Sequence, residues 1–326
     1  MSYRVGKTLL NGLVLLATLL VTLLVIELFL RLFMPVDYRP PASELPNVAR
    51  DIIYQASQTP GLDYELAPNV HTEAHGALVT TNSYGMRDDE PDPARPRKIV
   101  VLGDSFSFGF YLPQDEVFTQ LLEQKLQQVD PTIEVLNLSV SGYATKDEVA
   151  VLKYKGMQWR PEVIILGYVM NDPEIEPIQQ IPAYFRQASW WQYSHVLRLV
   201  AQGVKRVKML ARGGGNYYRY LHNDPASWGS VVDGFGQIKT MAAGSDARVI
   251  VVLFPDLWHD WDNYPYADIH AQVAALAQAD GFTVLDLRDY FSAYPPAELR
   301  VSGTDGHPNA LAHRLTAQAL LDILTK

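Results

Sequence analysis

The chain has 326 residues, 48% of them hydrophobic, enough for one large domain with appendages or for two small ones. Its net charge of −9 argues against nucleic acid as a partner, because a phosphate-binding surface needs a basic field. It contains no cysteine, which excludes disulfides, thiolate metal sites and a cysteine nucleophile.

From Leu9 to Ile26 the sequence is nearly all Leu, Val, Ala and Thr. Eighteen helical residues reach about 27 Å, close to the thickness of a hydrocarbon core. Leu28 to Met34 extend the run, with Glu27 and Arg31 spaced to pair across one turn. A cleaved leader would have a shorter apolar stretch and a small-residue cleavage site, and Phe33-Met34-Pro35-Val36 is a poor one. Residues 1–34 are therefore expected to anchor the chain in a membrane, through residues 8–34. The flanking cations nearly balance, and the free amino terminus favours an inside start, which places the body outside the cytoplasmic membrane: single-pass and periplasmic in a bacterium.

Residues 35–97 follow as a Pro-, Asp- and Ser-rich tether over 35–60 and a small β-rich lead-in over 61–97, with β-like pieces at 63–66 and 77–81. From residue 98 strands and helices alternate. Strands are expected at 98–102, 134–138, 163–167, 248–254 and 282–286, and helices at 117–129, 145–157, 266–279 and 309–325. Thr145 and Glu148 have the spacing of a capping box. Near-continuous apolar strands alternating with helices imply a parallel sheet covered on both faces, an α/β fold. Residues 173–247 interrupt the rhythm with many Trp and Tyr residues and a basic run from Arg198 to Arg212, read either as a lid over a site or as a helical insertion. Its aromatic stretch 186–220 is expected to line a sugar or an acyl pocket.

Four polar segments fall at carboxyl ends of strands, the edge where parallel sheets carry their chemistry. They are Gly103-Asp104-Ser105, Ser139-Val140-Ser141-Gly142-Tyr143, Tyr168-Val169-Met170-Asn171-Asp172, and Gly303-Thr304-Asp305-Gly306-His307. The first is not a Gly-x-Ser-x-Gly elbow, because Ser107 stands at the second glycine position.

Taken in order, these blocks resemble the SGNH, or GDSL-type, hydrolases: Gly103-Asp104-Ser105 matches the first block, Gly142 the second, Asn171 the third and His307 the fourth. The resemblance covers about residues 98–325. The lead-in Thr81-Asn82-Ser83-Tyr84-Gly85-Met86-Arg87 and the apolar amino terminus are similar to a membrane-tethered bacterial branch. It implies a three-layer α/β/α sandwich on a five-stranded parallel, flavodoxin-like sheet over 98–326. It implies Ser105 as nucleophile, His307 as base, and an oxyanion hole from the Ser105 and Gly142 N–H groups and the Asn171 amide. The family usually has Asp three residues before the histidine; here that residue is Thr304, and Asp305 lies two before. Asp305 is taken as the orienting acid, with Asp172 or no acid at all as alternatives.

Asp256-Leu257-Trp258-His259 has the usual Asp-x-x-His spacing, but it follows the fourth strand, so His259 is expected in the pocket wall or on the surface. Asp104 is read as a turn-stabilising carboxylate. Ser107, Ser139, Ser141 and His313 are read as structural. No cofactor and no metal is expected. The implied activity is removal of a small acyl group from a small molecule or an envelope or exported glycan, in the setting of polysaccharide machinery. O-acyltransfer through the same acyl-enzyme, lipid or thioester hydrolysis, and a catalytically idle scaffold module are the alternatives.

Overall fold

The computed structural model describes residues 2–34, 53–74, 76–175, 185 and 190–325. The tether over 35–52 and much of the first part of the insertion, 176–184 and 186–189, lie outside the described residues.

The apolar run forms one helix, α1 (Ser2–Phe33). Its stretch Lys7–Phe33 has a mean hydropathy of 2.8 and is long and apolar enough to cross a membrane. The lead-in is two antiparallel pairs, β1 (Tyr54–Ala56) with β2 (Tyr64–Leu66), and β3 (His71–Ala74) with β4 (Ala77–Thr80). β1 corrects the expected tether. Ile53 is fully buried and Tyr54 pairs with Leu66, so the chain is already folded there.

The main body is a parallel sheet of β5 (Arg97–Gly103), β6 (Ile133–Asn137), β7 (Val163–Tyr168), β8 (Arg248–Leu253) and β9 (Thr283–Asp286), in the order β6-β5-β7-β8-β9. Alternate residues of β5 explain the layers. Val100 and Leu102 enter one core with α4 (Thr145–Val151), α7 (Pro225–Ser245) and α8 (Ala267–Ala279). Ile99 and Val101 enter the other with α3 (Phe118–Gln127), α9 (Arg288–Phe291) and α10 (Ala310–Leu324). The strand order reverses between β5 and β7, and open sheets of this kind form a crevice beyond the carboxyl ends of the strands at that point.

α7 revises the reading of the insertion. Its Val231, Phe235, Ile238 and Ala242 are buried on the sheet, so it is the ordinary crossover helix between β7 and β8. What remains beyond the fold's rhythm includes α5 (His195–Gly213) and α6 (Tyr217–Asn223).

The start of α4 is also corrected. No Thr145–Glu148 capping box forms. Asp147 instead accepts from the Ala144 N–H at 3.1 Å, while the Thr145 hydroxyl and both Glu148 oxygens point into the core with no hydrogen-bond partner among the described residues. Asp172 is buried in the same way. Burial, together with the nearby Asp104 carboxyl, pushes Glu148 well above the ordinary carboxylate range.

Below pH 4.5 Glu148 is protonated whether folded or unfolded. Above it the unfolded chain ionises while the native carboxyl stays neutral, so stability falls by about 1.4 kcal/mol per pH unit until the native group ionises too. Glu148→Gln is expected to remove that slope, so that its stability relative to wild type rises between pH 5 and pH 8 in denaturant unfolding. A constant difference across that range would contradict the neutral-acid assignment.

Candidate active site

β5 ends in Gly103, and the chain turns at once into the four-residue helix α2 (Ser105–Phe108). Asp104 caps α2, accepting the Phe106 N–H at 2.9 Å. A Cβ at Gly103 or at Gly167 of β7 would lie 2.4 or 2.1 Å from the Ser107 hydroxyl. Two glycines side by side on neighbouring strands therefore let α2 sit directly on the sheet edge, with Ser107 as the packing contact.

Ser105 Oγ lies 2.9 Å from His307 Nε2, and His307 Nδ1 lies 2.6 Å from Asp305 Oδ1. The same Asp305 oxygen accepts the His307 backbone N–H at 2.9 Å. The two-residue spacing thus closes a local turn in which one carboxylate holds both the backbone and the ring of the histidine. Burial raises the Asp305 pKa, but the His307 N–H and ring and the Tyr111 hydroxyl outweigh it and hold the group below the usual carboxylate range. An ionised carboxylate only accepts, so Nδ1 carries the proton and Nε2 is left to accept from Ser105. Asp104 Oδ2 is a more distant acceptor for the same hydroxyl, at 3.4 Å. Burial pushes Asp104 up to about 6, against the pull of the Phe106 N–H and of His307.

Asn171 lines the same cleft as Ser105, Asp305 and His307. Gly142 stands in the neighbouring turn after β6, with φ +83°, a left-handed conformation that glycine adopts without steric cost. Asp172 is buried beneath the site and makes no hydrogen bond to His307. His259 pairs with Asp256 at 3.0 Å, so the Asp-x-x-His pair is real, but His307 is the ring that reaches the serine. His313 is buried, accepts the Phe118 N–H at 3.0 Å, and is pushed down to about 3 by burial, which keeps it neutral.

Several supporting residues lie far in sequence from the groups they hold. Phe110 stacks on the His307 ring with centroids 4.8 Å apart, and Tyr111 hydrogen-bonds Asp305. Their loop is held by Arg87, from the lead-in, whose guanidinium donates to the Phe108 and Gly109 carbonyls at 2.7 Å and also to the Leu112 carbonyl. Two tyrosines lock the Gly142 turn to β2: Tyr64 donates to the Ser141 carbonyl and Tyr143 to the Tyr64 carbonyl, both at 2.6 Å.

Arg87 is 1% exposed. Arg87→Met would take a charged donor away from three buried carbonyls, of which that of Gly109 keeps the Leu112 N–H, and hydrogen bonds to charged groups contribute about 1.5–3 kcal/mol each. The variant is expected to lose several kcal/mol in denaturant unfolding, and its remaining folded fraction to turn over more slowly because Phe110 and Tyr111 drift. Wild-type stability would contradict the clamp.

The cleft is open to solvent. Tyr217 and Tyr218 of α6 and Trp258 form part of its wall, with Glu174 and Asp256 as acceptors. Tyr217 donates to Glu174 at 3.0 Å. Of the aromatic stretch 186–220, Trp190 and Tyr193 do not line this cleft; they are exposed, at 80% and 51%.

The sequence profile of the GDSL-like lipase/acylhydrolase family matches residues 101–315, two thirds of the chain, from β5 into α10. The chain belongs to this family. As a GDSL-like family member it is also 32% identical over 75 residues to an arylesterase of Vibrio mimicus, a stretch that covers 23% of this chain and 38% of that protein. The alignment thus spans well under half the length of that relative. Among solved structures it is similar to TesA, with 14% identity and a TM-score of 0.47 over 70% of this chain and 98% of that one. It is also similar to LAE5, an alpha/beta hydrolase enzyme from the metagenome of Lake Arreo, Spain, with 18% identity and a TM-score of 0.47 over 70% and 95%. A catalytic mutant of Axe2, an acetylxylan esterase from Geobacillus stearothermophilus, gives 16% identity and a TM-score of 0.43 over 69% and 93%.

Proposed function

We propose that this GDSL-like chain is a serine ester hydrolase in which Ser105, His307 and Asp305 work as one unit. The observation that carries the reading is the unbroken run of short hydrogen bonds from the Ser105 hydroxyl through the imidazole to an ionised carboxylate. A serine hydroxyl is a weak nucleophile unless an adjacent base takes its proton. His307 Nε2 accepts that proton as Ser105 Oγ attacks the acyl carbon, and Asp305 stabilises the imidazolium that results. The oxyanion is met by the Ser105 and Gly142 N–H groups and the Asn171 amide. Collapse returns the proton from His307 to the leaving alkoxide, and the alcohol departs. Water, deprotonated by the same ring, then releases the acid from Ser105.

The substrate is a small acyl ester on a polar carrier, an envelope or exported glycan. An open cleft with Tyr217, Tyr218 and Trp258 in its wall supports this, because aromatic faces pack against sugar rings while Glu174 and Asp256 accept from hydroxyls. The chain is anchored in the cytoplasmic membrane by α1, with its catalytic body on the outer face. Support comes from the length and hydropathy of Lys7–Phe33, whose leucines and valines point outward and are largely exposed.

The test is hydrolysis of p-nitrophenyl acetate and of an acetylated oligosaccharide by the full chain in detergent, with and without an unacetylated oligosaccharide as acceptor. Free acetate as the product supports hydrolysis. Acetyl groups on the acceptor instead would make the enzyme a transferase through the same acyl-Ser105. No turnover of either ester would contradict the reading.

A further inference from the structure

α5 is helical for nineteen residues, yet none of residues 195–213 belongs to either core. Val200, Val204 and Val207 recur at helical spacing on one face and are 56%, 49% and 65% exposed. Leu210, 57% exposed, widens the stripe. Arg206 borders it on one side and Lys208 on the other, both exposed, while Arg212 further along is paired with Asp224. A bare apolar stripe with cationic margins is the pattern of a helix lying in a bilayer interface, where lysine and arginine reach headgroup phosphates. The basic margin stands out in a chain whose net charge is −9.

The position of α5 favours a membrane over a protein partner. Its first turn is held by α1, near the end of the apolar span. Glu27 accepts from the Ser194 hydroxyl and from the His195 and Val196 N–H groups, each at 2.9 Å. Arg31 donates to the Tyr193 carbonyl at 2.6 Å. Leu30 is buried between these two positions, while Phe29 and Leu32 stay exposed. Thus α5 starts at the depth where hydrocarbon gives way to headgroups. Trp190 and Tyr193, the residue types that favour that depth, stand exposed beside its first turn.

We propose that α5 lies along the membrane surface, with Val200, Val204 and Val207 in the acyl region and Arg206 and Lys208 on the phosphates of anionic lipid. The proposal rests on reading α1 as the anchor. It gives the exposed aromatic residues of the insertion a role other than lining the cleft. It also ties the site to the bilayer: α5 passes through Gly214-Gly215 into α6, and Lys205 stands 5.4 Å above the ring of Tyr217, a cleft residue. The cleft is thereby fixed beside the lipid surface, suited to acyl carriers held there.

Because the chain contains no cysteine, single dye-labelled cysteines report one position each. Full-length Val204→Cys, Val207→Cys, Gln202→Cys and Leu19→Cys variants would be reconstituted in phosphatidylcholine–phosphatidylglycerol vesicles with or without nitroxide-labelled lipid. Dyes at 204 and 207 are expected to be quenched severalfold, as at 19, while a dye at 202, on the opposite face, keeps its emission. Quenching at 19 but no more at 204 and 207 than at 202 would overturn the proposal and leave the anchor standing. No quenching at any of the four positions would remove the anchor and the proposal together.

Discussion

Exchanging His307 for alanine is expected to lower ester turnover by about 10⁶-fold, and Ser105→Ala to cost about as much. The reason lies in the 2.9 Å contact between them. Without the ring, the serine has no strong acceptor for its proton; the nearest Asp104 oxygen, Oδ2, is 3.4 Å away. Without the serine, the ring has nothing to activate in the first step. The two residues thus act as a unit, and the Ser105→Ala/His307→Ala double variant is expected to be no slower than either single variant. Steady-state hydrolysis of p-nitrophenyl acetate measures all three. Losses that multiply in the double variant, or a His307→Ala enzyme within tenfold of wild type, would contradict a shared proton transfer.

Asp305→Asn is expected to cost about 10⁴-fold in kcat. The carboxylate accepts both from His307 Nδ1 and from the His307 backbone. An amide in its place can turn its NH₂ toward Nδ1, which moves the ring proton to Nε2 and leaves the serine facing a donor. The loss should therefore appear in kcat with little change in KM, and folding should be nearly unaffected because the group is partly exposed. A loss under tenfold would instead favour a serine–histidine dyad. His259→Ala is the matched control: its ring bonds Asp256 and not Ser105, and its activity is expected to stay near wild type.

The contrast between these two histidines shows how far sequence alone reaches. Both sit near an aspartate, and local spacing favours His259, whose partner lies three residues before it. Chain order relative to the last strand is what singles out His307. The strands were legible to within about one residue because β-branched runs such as Ile99-Val100-Val101 bury both faces of a parallel sheet. α7 was hidden inside the insertion because four glycines and several alanines blur its apolar stripe. The Thr145–Glu148 spacing matched a capping box, but those two side chains face the core and Asp147 does the capping.

The support of the site was least legible. Arg87 ends the stretch 81–87 of the lead-in, and nothing local says that it reaches the carbonyls around residues 108–112. Tyr64 and Tyr143 lock to each other across 79 positions. Phe110 and Tyr111 carry no motif of their own, and only the fold brings His307 beside them. All of these are long-range contacts between a lead-in or loop and the sheet edge, and no periodicity records them.

The most direct test of the account is the mass of the covalent adduct that a fluorophosphonate probe leaves on the full chain. The account predicts one adduct, on the peptide carrying Ser105, absent from Ser105→Ala and strongly slowed in His307→Ala. An unmodified Ser105 under conditions that label a control esterase, or an adduct on a different serine that survives Ser105→Ala, would contradict it.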